Sequence, residues 1–114
     1  MTALASLKTK KPTPLSTRAL AAFLTWKQFD LLLLLREEPT TVAILSDELE
    51  QIKAYDVKHG GAFYAGVEWQ SVYSCLRTME DRRLVNRHIG RNGLTQWSIT
   101  DRGVKALDWL DANS

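Results

Sequence analysis

The chain has 114 residues, 45% of them hydrophobic and 25% charged, with a formal net charge of +2. That suffices for one globular domain whose core needs neither metal nor disulfide staples. The lone cysteine, Cys75, excludes an internal disulfide framework and a cysteine-clustered zinc site, which fits a reducing, cytoplasmic setting, and the longest apolar run, Leu31 to Leu35, falls far short of the roughly 18 residues of a membrane span.

Charge is unevenly placed. Met1 to Phe29 contains no Asp or Glu, yet carries Lys8, Lys10, Lys11, Arg18 and Lys27. Pro12 and Pro14 remove backbone donors and restrict the residues before them, so residues 1–15 are expected to form a flexible basic arm. An arm or dimer-forming extension is preferred to a targeting signal, because Trp26, Lys27 and Gln28 interrupt the apolar stretch Ala19 to Leu24. Residues 16–114 are expected to form the folded domain, with Ser16 capping an early short helix.

Thr25 and Gln28 make a capping box ahead of "FDLLLLLREE", and Pro39 closes the segment, which predicts a helix from about Trp26 to Glu37. Five consecutive leucines cannot share one stripe of a 3.6-residue helix, so this helix must be central or shared with a partner. "TTVAILSDELEQIKAY" predicts a second helix on the spacing of Val42, Leu45, Leu49 and Ile52. Residues 56–66, "DVKHGGAFYAG", read as a glycine-containing connection; the stretch lacks the Gly-Lys-Ser/Thr ending of a phosphate loop. "VEWQSVYSCLRTMEDRRLV" predicts a third helix burying Val72, Cys75, Leu76 and Met79. Its opposite face carries Gln70, Ser74, Arg77 and Asp81, flanked by Ser71, Tyr73 and Thr78. Two alternating stretches, Val85 to Ile89 and Leu94 to Ile99, flank Gly90 to Gly93 and predict a hairpin, with Asn92-Gly93 favouring a tight turn of positive φ. Thr100 is expected to cap a last helix with the stripe Val104, Leu107 and Leu110. The fold class is therefore mainly α with a small β-hairpin.

The order helix, helix, helix, hairpin, helix resembles a winged helix-turn-helix domain, and "SVYSCLRTMEDRRLV" with "WSITDRGVKAL" resembles the PadR-type branch of the MarR-like group. In the first stretch Val72-Tyr73, Leu76 and Met79-Glu80 stand at the family's Leu-Tyr, Leu and Leu-Glu positions. In the second, Trp97, Ile99, Thr100 and Gly103 match its aromatic-x-Leu-Thr-x-x-Gly junction. The recognition helix departs from the family in opening with Glu68-Trp69-Gln70 in place of Ser-Pro. With Ser114 as the last residue read, no counterpart of the long helical dimerisation domain of many PadR relatives is expected, so a dimer is expected to use the N-terminal extension, the leucine-rich helix or the last helix.

The resemblance implies a transcriptional regulator of double-stranded DNA, a repressor by expectation, with its third helix in the major groove and its hairpin on the backbone or in the minor groove. The implied recognition residues are Trp69, Gln70, Ser71, Tyr73, Ser74 and Arg77. On the wing they are Arg87, His88, Arg91 and Asn92, with Arg102 as a further cation for phosphates. Gln70 suits adenine, Ser71 and Ser74 suit either kind of base, Arg77 suits guanine or a phosphate, and Tyr73 suits a phosphate. A homodimer interface is expected at Trp26, Leu33, Trp109 and Leu110; Trp109 falls off the last helix's stripe and either covers a partner or folds back on its own domain.

Other residues read as ordinary structure. Arg82-Arg83 beside Glu80-Asp81 suits a solvated helix end, Cys75 a core position, and His59 and His88 the surface, since neither has a metal-ligand companion. No catalytic triad, nucleotide loop or paired acids suggest an enzyme, and no cofactor or metal is expected. Two alternatives stay open: a winged helix that docks a protein in a transcription, replication or mobile-element assembly, and a phage or plasmid DNA-binding protein for replication or recombination.

Overall fold

The computed structural model describes residues 24–61 and 66–112. The expected basic arm, the Ser16-capped helix and residues 62–65 of the connection lie outside them.

Helix α1 (Trp26–Glu37) starts as the capping box dictates. The Thr25 hydroxyl accepts from the Gln28 amide at 3.1 Å, and Gln28 Oε1 accepts from the Thr25 amide at 3.1 Å. Leu31, Leu32 and Leu35 are buried and Leu33 and Leu34 half-buried, because α1 is central and packs against all three other helices and the second strand. Each leucine so covered contributes about 1.5–3 kcal/mol of apolar burial.

Helix α2 (Val42–Lys58) runs three residues past the expected end at Tyr55. Asp56 to Lys58 continue the helix, and it stops at Gly60, whose φ of 80° an L side chain resists. Helix α3 (Trp69–Asp81) follows, tied back to α2 by the Ser46 hydroxyl, which donates to the Val67 carbonyl at 2.6 Å. Its expected stripe is largely inside: Val72, Leu76 and Met79 are fully buried and Cys75 is half-buried.

The end of α3 is a Schellman motif, with the Leu84 amide donating to the Met79 carbonyl at 2.9 Å and the Arg83 amide to the Glu80 carbonyl at 2.9 Å. Arg83 sits at the left-handed position, with φ 63°, where glycine is the usual occupant. It is therefore more than a solvated cation.

Strands β1 (Val85–Ile89) and β2 (Thr95–Ile99) pair antiparallel, Arg87 opposite Trp97. The turn differs from the expected one. Of the Asn92-Gly93 pair only Gly93 has positive φ, 79°, and the loop instead closes through Gly93 N to Gly90 O at 3.0 Å and Gly90 N to Leu94 O at 2.8 Å. Asn92 Oδ1 accepts from the Leu94 amide at 3.0 Å, and Leu94 falls outside the strand. A one-residue bridge from Thr40 pairs with the other edge of β2, with Thr40 N to Trp97 O at 3.0 Å and Trp97 N to Thr40 O at 2.7 Å. This bridge pins the hairpin to the α1–α2 connection.

Helix α4 (Asp101–Ala112) is capped by Thr100, whose hydroxyl accepts from the Gly103 amide at 3.0 Å. The same hydroxyl lies 2.7 Å from the Arg83 carbonyl, so one side chain joins the end of α3 to the start of α4. Leu84, Val85, Trp97, Ala106 and Leu107 complete the core. No helix among the described residues is long and apolar enough to cross a membrane.

Candidate nucleic-acid interface

Helix α3 turns its apolar stripe inward, so its opposite face projects outward by periodicity alone. Gln70, Ser74, Arg77, Thr78 and Asp81 are all exposed. Gln70 and Ser74 lie in the N-terminal half, the part a recognition helix presents to base edges. Ser71 is half-buried and its hydroxyl donates to Glu68 Oε1 at 2.6 Å. That bond, above all, holds the Glu68 carboxyl below its ordinary pKa, and it ties Ser71 to the helix start.

An aromatic column supports this face from below. Trp97, 1% exposed, receives Tyr73 edge-on with ring centroids 6.1 Å apart. Tyr73 in turn lies parallel to Trp69, centroids 5.7 Å apart and 4° between planes. Trp69, at 49% exposure, is thus an anchored indole at the leading end of α3.

The wing supplies the cations. Arg87 sits on the side of the hairpin that meets α3: its guanidinium lies 5.7 Å from the Trp97 ring centre and its Nε 3.0 Å from Glu80 Oε2. Arg77 Nε reaches the other oxygen of the same carboxylate at 3.1 Å. Both guanidinium groups also donate to the Tyr73 hydroxyl, each at 3.4 Å. Hydrogen bonding to Tyr73, supported by Glu80 and Asp81, pushes the Arg77 pKa above its already high ordinary value, so it is a permanent cation. His88, Arg91 and Asn92 are exposed on the strand and turn. Asn92 also shapes the turn through its bond to Leu94. Arg102 lies on α4, half-buried, and not on the wing.

The structure therefore brings Tyr73, Arg77 and Arg87 together and leaves Gln70 and Ser74 outward. Sequence reasoning passed over Glu80 as part of a solvated helix end, and Trp97 as a junction residue only. The Arg77–Glu80 step of three residues was a visible signal for a helical ion pair. Arg87 joins that pair only through the tertiary fold.

A second surface lies between the ends of α1 and α4, where Leu24, Thr25, Trp26, Phe29, Leu110 and Asp111 line a hollow of about 220 Å³. Trp26 is 77% exposed there. Leu33 packs partly buried against the core, and Trp109 is half-buried. Burial raises the pKa of the Cys75 thiol, which disfavours the reactive thiolate. Among the described residues no group of three His, Cys, Asp or Glu side chains could hold a metal ion.

No family model matches the chain, and no curated protein matches it. Solved structures do. The hsRosR-S4 complex superposes with a TM-score of 0.66 at 22% identity, over 86% of this chain and 77% of that one. RosR of H. salinarum gives 0.59 at 23%, over 82% and 76%. ZitR of Lactococcus lactis gives 0.60 at 20%, over 78% of this chain and 51% of ZitR, so the chain spans about half of that protein. These likenesses establish the winged-helix fold. They do not single out the PadR-type or MarR-like branch.

Proposed function

We propose that the chain is a sequence-specific regulator of transcription that binds double-stranded DNA, with α3 in the major groove and the hairpin against the backbone or minor groove, and that it acts as a repressor. The observation that carries the reading is the outward hydrogen-bonding face of α3, Gln70, Ser74 and Arg77, beside the cationic hairpin with Arg87, His88 and Arg91, on a winged-helix frame. Gln70 has the paired donor and acceptor that match adenine, and Ser74 can donate or accept. Arg91 and His88 suit phosphates, where counterion release supplies sequence-independent affinity. The likeness of fold to RosR and ZitR supports the same winged-helix frame.

The regulator acts as a homodimer. Support comes from the exposed Trp26 and the apolar hollow it shares with Phe29 and Leu110, a surface that a second copy would cover. A two-fold dimer reads two half-sites about 34–36 Å apart, so its site is a palindrome. Selection from random duplexes, followed by titration of the enriched sequence, tests the proposal. Gln70→Ala and Ser74→Ala are expected to lose affinity at particular bases, and Arg91→Ala to lose it on every duplex with a shallower salt dependence. Absence of enrichment together with salt-independent binding would overturn it in favour of a protein-docking winged helix, to which the exposed Trp69 and Trp26 would then belong.

A further inference from the structure

We infer that Arg77 and Arg87 form a single clamp for one DNA phosphate, with Glu80 as the positioning residue that joins helix and wing. The inference rests on the DNA-binding reading above and goes beyond it in assigning the two arginines one ligand and Glu80 a role.

The four side chains close a ring. Glu80 receives Arg77 Nε on one oxygen at 3.1 Å and Arg87 Nε on the other at 3.0 Å, and Tyr73 receives both Nη1 groups at 3.4 Å. Two guanidinium groups brought this close would repel each other without the carboxylate between them. Glu80 is the most covered of the three charged side chains, 25% exposed against 46% for Arg77 and 37% for Arg87. The ring has a rigid floor, because Tyr73 rests on the buried Trp97 and Arg87 covers the same indole.

Donor chemistry shows what remains for a ligand. Each guanidinium has five N–H donors; the bonds to Glu80 and Tyr73 occupy one Nε proton and one Nη1 proton, which leaves the rest of each fork for an incoming acceptor. Two cations and one anion carry a single net positive charge, the complement of one phosphodiester. The two unesterified oxygens of that phosphodiester can take one fork each, the bidentate geometry that arginine supplies and lysine does not. Both arginines are rotamer-rich, so fixing them before DNA arrives removes an ordering cost from binding. One arginine is on α3 and the other on β1, so the clamp also fixes the wing's position relative to the recognition helix. A duplex whose bases suit α3 places its phosphate in the clamp; an unrelated duplex does not.

The test titrates the selected duplex and an unrelated duplex over a salt series with full-length protein and the variants Arg77→Ala, Arg87→Ala, the double variant, Arg87→Lys and Glu80→Gln. Each phosphate contact contributes about 0.9 to the slope of log affinity against log salt. The double variant is expected to flatten the slope by about 0.9, with a loss in affinity well below the product of the single losses. Arg87→Lys, which keeps the charge and the stem but not the fork, should lose affinity without flattening the slope. Glu80→Gln should weaken the selected duplex about fivefold and tighten the unrelated one, because position is lost while net positive charge is gained, with its melting temperature within a few degrees of wild type. Multiplicative losses with a slope change of about 1.8 would show two independent phosphates and overturn the clamp while leaving the DNA reading intact. Equal tightening of both duplexes by Glu80→Gln would reduce Glu80 to a counter-charge and also overturn it. Wild-type protein with no salt-dependent duplex binding would remove the DNA reading itself, and the clamp with it.

Discussion

Gly103→Ala inverts a common expectation. Alanine in an open helix is more stable than glycine by about 0.8–1 kcal/mol. At Gly103, however, an added Cβ would run into the Leu84 carbonyl oxygen and lie 2.6 Å from Ile99 Cγ1. The carbonyl cannot move aside freely, because the Thr100 amide and hydroxyl both sit 3.0 Å from it. Relief therefore requires the first turn of α4 to lift off the start of β1. Overpacking of this kind costs about 1–3 kcal/mol, and weakening two hydrogen bonds adds about 1 kcal/mol each. Set against the helix-propensity gain, the net destabilisation is about 2–4 kcal/mol. Equilibrium urea unfolding followed by circular dichroism should show a lower midpoint at an unchanged slope. A variant as stable as wild type, or more stable, would refute the close packing of α4 on the α3–β1 corner.

Three further outcomes follow from single observations. Arg83→Gly places glycine at the left-handed position that ends α3 and should stabilise the fold by about 0.5–1 kcal/mol, read by thermal melting; a loss of stability would contradict the Schellman ending. Ser71→Ala removes the hydroxyl that holds Glu68 below its ordinary pKa. A depressed carboxyl stabilises above the unfolded-state pKa and loses that contribution as pH falls through the folded one, so wild type should exceed the variant near neutrality and converge with it in acid. Trp26→Ala should shift the monomer–dimer equilibrium toward monomer in sedimentation velocity without lowering the melting point of the monomer, since Trp26 is 77% exposed.

Local signals carried most of the fold. The Thr25–Gln28 box placed the start of α1 to the residue because both partners lie within one turn. Helical periodicity alone separated the buried Val72, Leu76 and Met79 from the exposed Gln70, Ser74 and Arg77, and those outward residues were the legible half of the candidate interface. Elsewhere a local pattern was ambiguous. Asn92-Gly93 suits a two-residue turn, but Gly90 permits the wider loop observed, with positive φ at Gly93 only. Asp56 to Lys58 seemed part of the glycine-containing connection, yet nothing before Gly60 stops α2. What stayed hidden depends on the third dimension. The single bridging residue Thr40 has no alternation to reveal it. Arg83 gives no hint of a left-handed backbone, and the ring of Tyr73, Arg77, Glu80 and Arg87 closes only once the hairpin folds against α3.

The proposed function turns on α3 reading base edges in a major groove. Interference footprinting on the selected duplex, with guanine N7 methylation and phosphate ethylation as separate probes, tests it most directly. N7 methylation, which marks the major groove, is expected to block binding within each half-site, and ethylation to block it at flanking phosphates on the same face of the duplex. Interference confined to phosphates, with N7 methylation tolerated throughout, would contradict it.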